Sequence, residues 1–406
     1  PNVWLSNAWS NDGVTNVQVR EFYGGSTPVY PGAGEPLTET QGGGQVPTIL
    51  YDEVGATGVD NGSTRFTNLL DPDYEMPREW KYALGATWEA PGGIMLDMDY
   101  MYTVLKKGAI YRDVTQEIVG QTSVGAPIYG AIPGAGQENL MLTNTSKDST
   151  AQVISVVANK SFDFGLDVLL GYAWTDANDV SPMTSFTAGS SYDNVATNDI
   201  NNPSPGPSNY VRRNRVTLRM DYSAEWWRDN LTRFTLIGFY QEGQPNTYTL
   251  ESDDVLQVDQ SRRHLLYVPD GASDPNVIYG ANFPVQEFLD WTKRKDLPGG
   301  RFVSRNSIST KASTRFDLRI DQEIPLGMSE LKARAFVKIY NFTNLLNDDW
   351  GWQYDSEFFP RDVVEISGLG PNGEYIYDSF SPGAPDTRDS FRSLWEIRLG
   401  MDIRFN

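Results

Sequence analysis

The chain has no cysteine and a single histidine, His264. The first absence excludes disulfide frameworks, thiolate metal sites and cysteine nucleophiles. The second excludes a multi-histidine metal site, and His264 reads as a loop or pocket side chain. No run approaches the ~18 apolar residues of a membrane-spanning helix. That does not exclude a barrel, whose strands need only ~9–11 residues with alternate ones apolar. Basic residues are scarce: 33 Lys and Arg stand against 53 Asp and Glu, a net charge of -20. Such acidity argues against nucleic acid as a partner. No G-x-S-x-G elbow occurs. GVDNGS and GGSTP lack the strand-to-helix context of a phosphate cradle. A carboxylate pair, or a Ser-His-Asp arrangement using His264, are the remaining catalytic options, and no enzyme is expected.

What the chain does have is 37 Gly, 24 Pro, 21 Tyr and 11 Trp in 406 residues. Turn formers and aromatics together point to many strands joined by irregular loops. The C-terminal SLWEIRLGMDIRFN shows the pattern most clearly. Trp395, Ile397, Leu399, Met401, Ile403 and Phe405 alternate with Glu396, Arg398, Gly400, Asp402 and Arg404. Residues 79–90 and 94–104 repeat it on either side of Pro91-Gly92-Gly93, which predicts a hairpin. The same alternation predicts strands at 164–175, 213–224, 314–325 and 331–342, with less regular ones near 151–161 and 231–242.

The connections alternate in length. Short turns are expected near 91–93, 161–164, 225–230 and 325–329, and long loops near 12–75, 108–150, 177–209, 244–312 and 344–391. Short at one end and long at the other is the signature of an outer-membrane barrel, with periplasmic turns and extracellular loops. The expected fold is therefore all-β, a transmembrane antiparallel up-and-down β-barrel with long extracellular loops, in the outer membrane of a Gram-negative bacterium. PNVWLSNAWS becomes an outward strand ahead of the first long loop, the first of ten. Residues 1–75 and 344–391 each hold 10 Asp and Glu against 2 Arg, so both segments, mainly loop, are strongly acidic.

In such a barrel the apolar rows face lipid and the polar rows face the lumen. The lumen-facing candidates are Arg213, Arg215, Arg219, Asp221, Arg315, Asp317, Arg319, Asp321, Glu323, Arg334, Glu396, Arg398, Asp402 and Arg404. They read as a polar wall that grips a plug and lines a transit path, or more simply as cross-strand ion-pair ladders. The lipid-facing girdle candidates are Trp80, Trp88, Tyr102, Trp174, Tyr222, Tyr340, Trp395 and Phe405, placed near strand ends as interfacial aromatics are. Partners are outer-membrane lipid and lipopolysaccharide. The loops are rich in Tyr, Asn, Gly and Pro, a composition suited to a peptide, protein or glycan ligand, or to shielding the barrel rim. Acidic loop clusters at Glu251, Asp253 and Asp254 and at Asp348 and Asp349 are weak candidates for calcium, which favours several loop oxygens. They lack EF-hand spacing and read more simply as solvated acidic loops.

Several stretches resemble one family. They are VWLSNAWSNDG (3–13), WKYALGATWEAPGGIMLDMDYMYTVLKKGAIY (80–111), GYAWTDANDVSP (171–182), NYVRRNRVTLRMDYSAEWW (209–227), GFYQEGQPNTYT (238–249), HLLYVPDGASDPNVIYG (264–280), FDLRIDQEIPLG and FVKIYNFTNLLNDDWG. Together they resemble the C-terminal part of an Oar-like TonB-dependent outer-membrane receptor, over nearly the whole chain. The resemblance implies that residues 1–406 are about ten strands of a barrel of about 22. It also implies an N-terminal plug, a TonB box and a carboxypeptidase-regulatory-like domain, none of which this chain contains. The implied function is ligand capture by loops and passage through the lumen when TonB moves the plug. A surface adhesin or export component and an ungated porin are the alternatives. Members generally end on Phe, whereas here Asn406 follows Phe405.

Overall fold

The computed structural model describes residues 67–135, 139–185, 187–227, 229–252, 255–256, 263–326, 331–355, 360–383 and 386–405. The expected first strand, PNVWLSNAWS, lies outside them, as do Asp253, Asp254 and Asn406.

The alternating segments form one antiparallel meander. Its strands are β1 (Arg78–Ala90), β2 (Ile94–Lys106), β3 (Ser149–Phe162), β4 (Leu166–Asp179) and β5 (Asn214–Trp227). They continue as β6 (Asn230–Gln241), β7 (Ser313–Ile324), β8 (Leu331–Tyr340) and β9 (Glu396–Phe405). Their order in the sheet is their order in the chain. The β1–β2 turn holds Gly92 at φ 85° and Gly93 at φ 69°, a left-handed conformation that glycine adopts without a Cβ penalty.

The register aligns the apolar residues of successive strands into continuous rows. Leu166, Tyr222, Phe234, Ile320, Val337 and Leu399 lie side by side from β4 to β9. A one-residue slip would turn every one of these side chains to the other face. This apolar face is uncovered: Leu84 is 74% exposed and Leu399 is 75% exposed. A contiguous apolar surface of this extent requires a non-aqueous neighbour.

The buried core sits elsewhere, in the long connections. These were expected as irregular loops, and instead they fold into a cap. One part is a four-stranded sheet of Tyr248–Glu251, Arg361–Leu369, Tyr375–Phe380 and Val277–Tyr279, in that order. Its first and last pairings are parallel. Helix α1 (Val285–Arg294) contributes Phe288, Leu289 and Trp291 to the same core as Leu250, Leu266 and Tyr377. Glu287 in its first turn and Lys293 and Arg294 in its last complement the helix dipole. A second, smaller core gathers Tyr111, Tyr129, Leu140, Leu142, Tyr192 and Ile200. Among the described loop tyrosines, Tyr248, Tyr267, Tyr375 and Tyr377 are buried in this packing.

Candidate functional site

The charged face of β5–β9 is held by arginine–carboxylate forks. Arg219 donates to Asp221 at 2.6 and 3.3 Å, and Arg315 to Asp317 at 2.8 and 2.9 Å. Arg319 donates to Asp321 at 2.8 and 2.7 Å, and Arg398 to Glu396 at 2.6 and 3.2 Å. Each pair runs along one strand, from i to i+2 or the reverse. Such residues share a face about 6.6 Å apart, within reach of a guanidinium laid along the strand. The expected cross-strand ladder is therefore corrected in its main feature. Among the described residues, the ion pairs of these lumen candidates that leave their own strand are the longer Arg334–Glu323 contact, 3.7 Å, from β8 to β7, and that of Arg213 to Asp176 on β4.

The carboxylates are the more buried partners. Asp317 and Asp321 are 8% and 6% exposed, and bidentate pairing offsets their loss of hydration. Asp221 also accepts from Thr235 at 2.6 Å, directly across on β6. Arg215 lies opposite Gln241 on the same face. Asp402 lies opposite Arg334, and Arg404 opposite Lys332. Arg213 sits just before β5 at the loop rim and reaches Asp176 at 3.2 Å.

Tyr340 belongs to this charged face and not to the apolar girdle. It lies opposite Glu396. Lys338 Nζ stands 3.9 Å from its ring centroid and the Arg398 guanidinium 4.9 Å. Its parity with Lys338 was legible in the sequence. Phe336 is a second aromatic on the charged face. Its ring covers Gly400, where any Cβ would collide with it, and Arg319 stacks 4.3 Å above it.

The other girdle candidates fall on the apolar face or at its strand ends. Trp80 and Trp88 flank β1, both exposed. Tyr102 stacks on Tyr82 across the first hairpin with centroids 6.3 Å apart. Trp174 lies opposite Ile154. Tyr222 packs against Trp226 at 5.8 Å, and Trp226 against Phe234 at 5.4 Å. Trp226 was missed, although its alternation with Tyr222 could have found it. Trp395 is exposed and immediately precedes β9. Phe405 closes β9 opposite Leu331.

The cap is tied together by buried polar groups that carried no sequence signal. Arg305, on the β6–β7 connection, donates to Asp179 Oδ1 at 2.7 Å, to the Gly206 carbonyl at 3.0 Å and to the Val180 carbonyl at 3.3 Å. Two connections and the end of β4 thereby become one body. Thr197 and Arg263 join the same two connections by a backbone bond of 2.8 Å. The β2–β3 connection joins through Tyr129 N–H to the Leu256 carbonyl, 3.0 Å, and Ser123 N–H to the Gly373 carbonyl, 2.8 Å. Asn341 fastens the β8–β9 connection, donating from Nδ2 to the Gly351 and Ser393 carbonyls.

His264 is buried in this aromatic core. Its Nε2 lies 2.9 Å from Tyr375 Oη, and its ring meets Phe302 edge-on at 5.6 Å. Burial pushes its pKa down to about 3, so the ring is neutral at ordinary pH. The hydroxyl hydrogen-bonded to it is a tyrosine's rather than a serine's. Burial likewise raises Tyr375 and Tyr377 well above the usual phenol range. Of the calcium candidates, Asp349 meets Arg388 at 3.3 Å, and the Asp348 carbonyl accepts from Trp352 Nε1 at 2.7 Å. Among the described residues no three His, Asp or Glu side chains converge as a metal site.

Residues 6–348 match the family model for the outer membrane beta barrel domain. Among solved structures the chain is similar to the outer membrane transporter YddB from Escherichia coli, with a TM-score of 0.40 and 10% identity. That similarity covers 85% of this chain and 34% of the other, so this chain spans about a third of the transporter's length. No curated protein matches. The family match covers most of the chain, and its content agrees with the meander and its two unlike faces: the chain belongs to the outer membrane beta barrel domain family.

Proposed function

We propose that this outer-membrane β-barrel chain forms part of the wall of a TonB-dependent receptor of the Oar-like kind. The cap captures a ligand outside, and the charged face lines the lumen through which it passes when a plug is moved. One observation carries this reading: the face opposite the apolar rows holds fixed arginine–carboxylate forks from β5 to β9. Salt-bridged charge held in place suits a wall that must release and re-engage a polar plug. Contact with outer-membrane lipid follows from the barrel. TonB, and a peptide, protein or glycan ligand, are the further partners proposed. No catalytic role is assigned to any residue.

The test uses the full-length protein purified from native outer membrane. A receptor binds the purified periplasmic domain of TonB and stays silent in planar bilayers. A steady open conductance without TonB binding would make it a porin. A silent barrel that ignores TonB but retains a surface partner would make it an adhesin or export component.

A further inference from the structure

Three cations occupy a single level of the charged face. Arg319 on β7 lies directly opposite Lys338 on β8, and Lys338 directly opposite Arg398 on β9. Side chains so placed have Cβ atoms about 5 Å apart, and like charges in that relation destabilise a sheet. Two such oppositions in succession need an explanation.

The two arginines are partly neutralised from within their own strands. Asp321 holds Arg319 from one side along the strand, and Glu396 holds Arg398. Each guanidinium has five donors in a fixed fork, so each keeps N–H groups beyond those given to its carboxylate. Lys338 stands between them, and no carboxylate among the described residues pairs with it. Its ammonium is placed over the Tyr340 ring instead, 3.9 Å from the centroid. Arg398 shares that ring and Arg319 stacks on Phe336. Aromatic faces thus hold the three heads in position without neutralising them.

The rest of the sheet makes this level distinctive. On the corresponding face of β1–β4, Lys81 is alone among Glu79, Glu89, Asp97, Asp99, Asp167 and Asp179. In a chain of net charge -20, cations are concentrated on β5–β9, and Lys338, without a carboxylate partner among the described residues, has an arginine directly opposite it on each side.

We infer that Arg319, Lys338 and Arg398 form a binding site for the oxyanion group, carboxylate or phosphate, of a small solute in the lumen. The inference rests on the proposed reading only in that the charged face lines the lumen. Lys338 supplies the uncompensated charge, and the two arginine forks supply fixed donors on either side. An anion bound there removes the repulsion across β7, β8 and β9.

The experiment is calorimetric titration of the full-length protein in detergent with inorganic phosphate and, separately, succinate, against chloride at equal ionic strength. Wild type and Lys81→Gln are expected to bind either oxyanion alike. Lys338→Gln should bind about tenfold more weakly, the loss of one hydrogen bond to a charged group, while Lys338→Arg retains binding. Unchanged heat-modifiable migration of each variant on a gel verifies assembly. Equal binding by Lys338→Gln and wild type would overturn the site, as would no preference for phosphate or succinate over chloride. The titration contains no TonB, so its outcome is separate from that of the receptor test.

Discussion

The backbone N–H of Asn341 donates to Asp317 Oδ1 at 2.8 Å. The same carboxylate is gripped by Arg315, so one buried group joins the charged face to the start of the cap. Asn341 is itself fully buried and left-handed, with φ 47°. Its side chain accepts from Thr343 at 2.8 Å and donates to two carbonyls of the β8–β9 connection. One residue thus closes the end of β8 and begins the fold of the loop that follows.

Asn341→Ala is expected to cost about 2–4 kcal/mol, from lost buried hydrogen bonds, including the local side-chain bonding that lets an asparagine hold this left-handed conformation. Asn341→Gly, which tolerates the backbone, should cost about 1 kcal/mol less. Urea unfolding of the full-length protein in detergent measures both. Wild-type stability in the alanine variant would remove the clasp from the account.

Leu399→Arg places a charge in the middle of the apolar face of β9. In lipid near mid-depth this costs about 2–4 kcal/mol. The heat-modifiable folded fraction should fall accordingly, whereas Leu399→Ile should leave it unchanged. An arginine variant that assembles like wild type would contradict the assignment of this face to lipid.

Arg305→Leu removes the buried guanidinium that bonds Asp179 and the Val180 and Gly206 carbonyls. Losing hydrogen bonds between this charged group and its partners costs about 1.5–3 kcal/mol, Asp179 itself being only partly buried. Arg305→Lys should not restore it, since a point charge cannot span the fork. Faster limited proteolysis within 180–213 is the expected readout, and a protease pattern equal to wild type counts against the staple.

His264 gives the cap a pH dependence of defined sign. Its pKa falls from 6.5 to about 3 in the folded protein, so protons favour the unfolded cap. The neutral ring's contribution is complete above pH 6.5 and is lost progressively as pH falls toward 3. Between pH 6.5 and 4.5 the loss amounts to at most about 2.7 kcal/mol. Hydrogen exchange of the Tyr248–Glu251 and Tyr375–Phe380 strands should accelerate over that interval. His264→Gln should flatten the dependence, and a variant with the wild-type pH profile would assign it to other groups.

Alternation with a period of two determined much of the barrel from sequence alone. The two faces of Trp395–Phe405, the first hairpin and the order of β1–β9 all follow from it, because each strand residue takes its side from its parity. The face on which each of these aromatics falls was legible for the same reason, including Trp226, and parity itself places Tyr340 with Lys338. Forks such as Arg315–Asp317 share a strand, so their residues were visible as candidates, though their direction along the strand was not. The cap was decided only by tertiary structure. His264 meets Tyr375 across 111 residues, and Arg305 meets Asp179 across 126. Tyr248–Glu251 pairs in parallel with a strand more than a hundred residues later. Contacts of that range leave no periodic trace in the segments that make them, and only the folded chain brings their donors and acceptors within hydrogen-bonding distance.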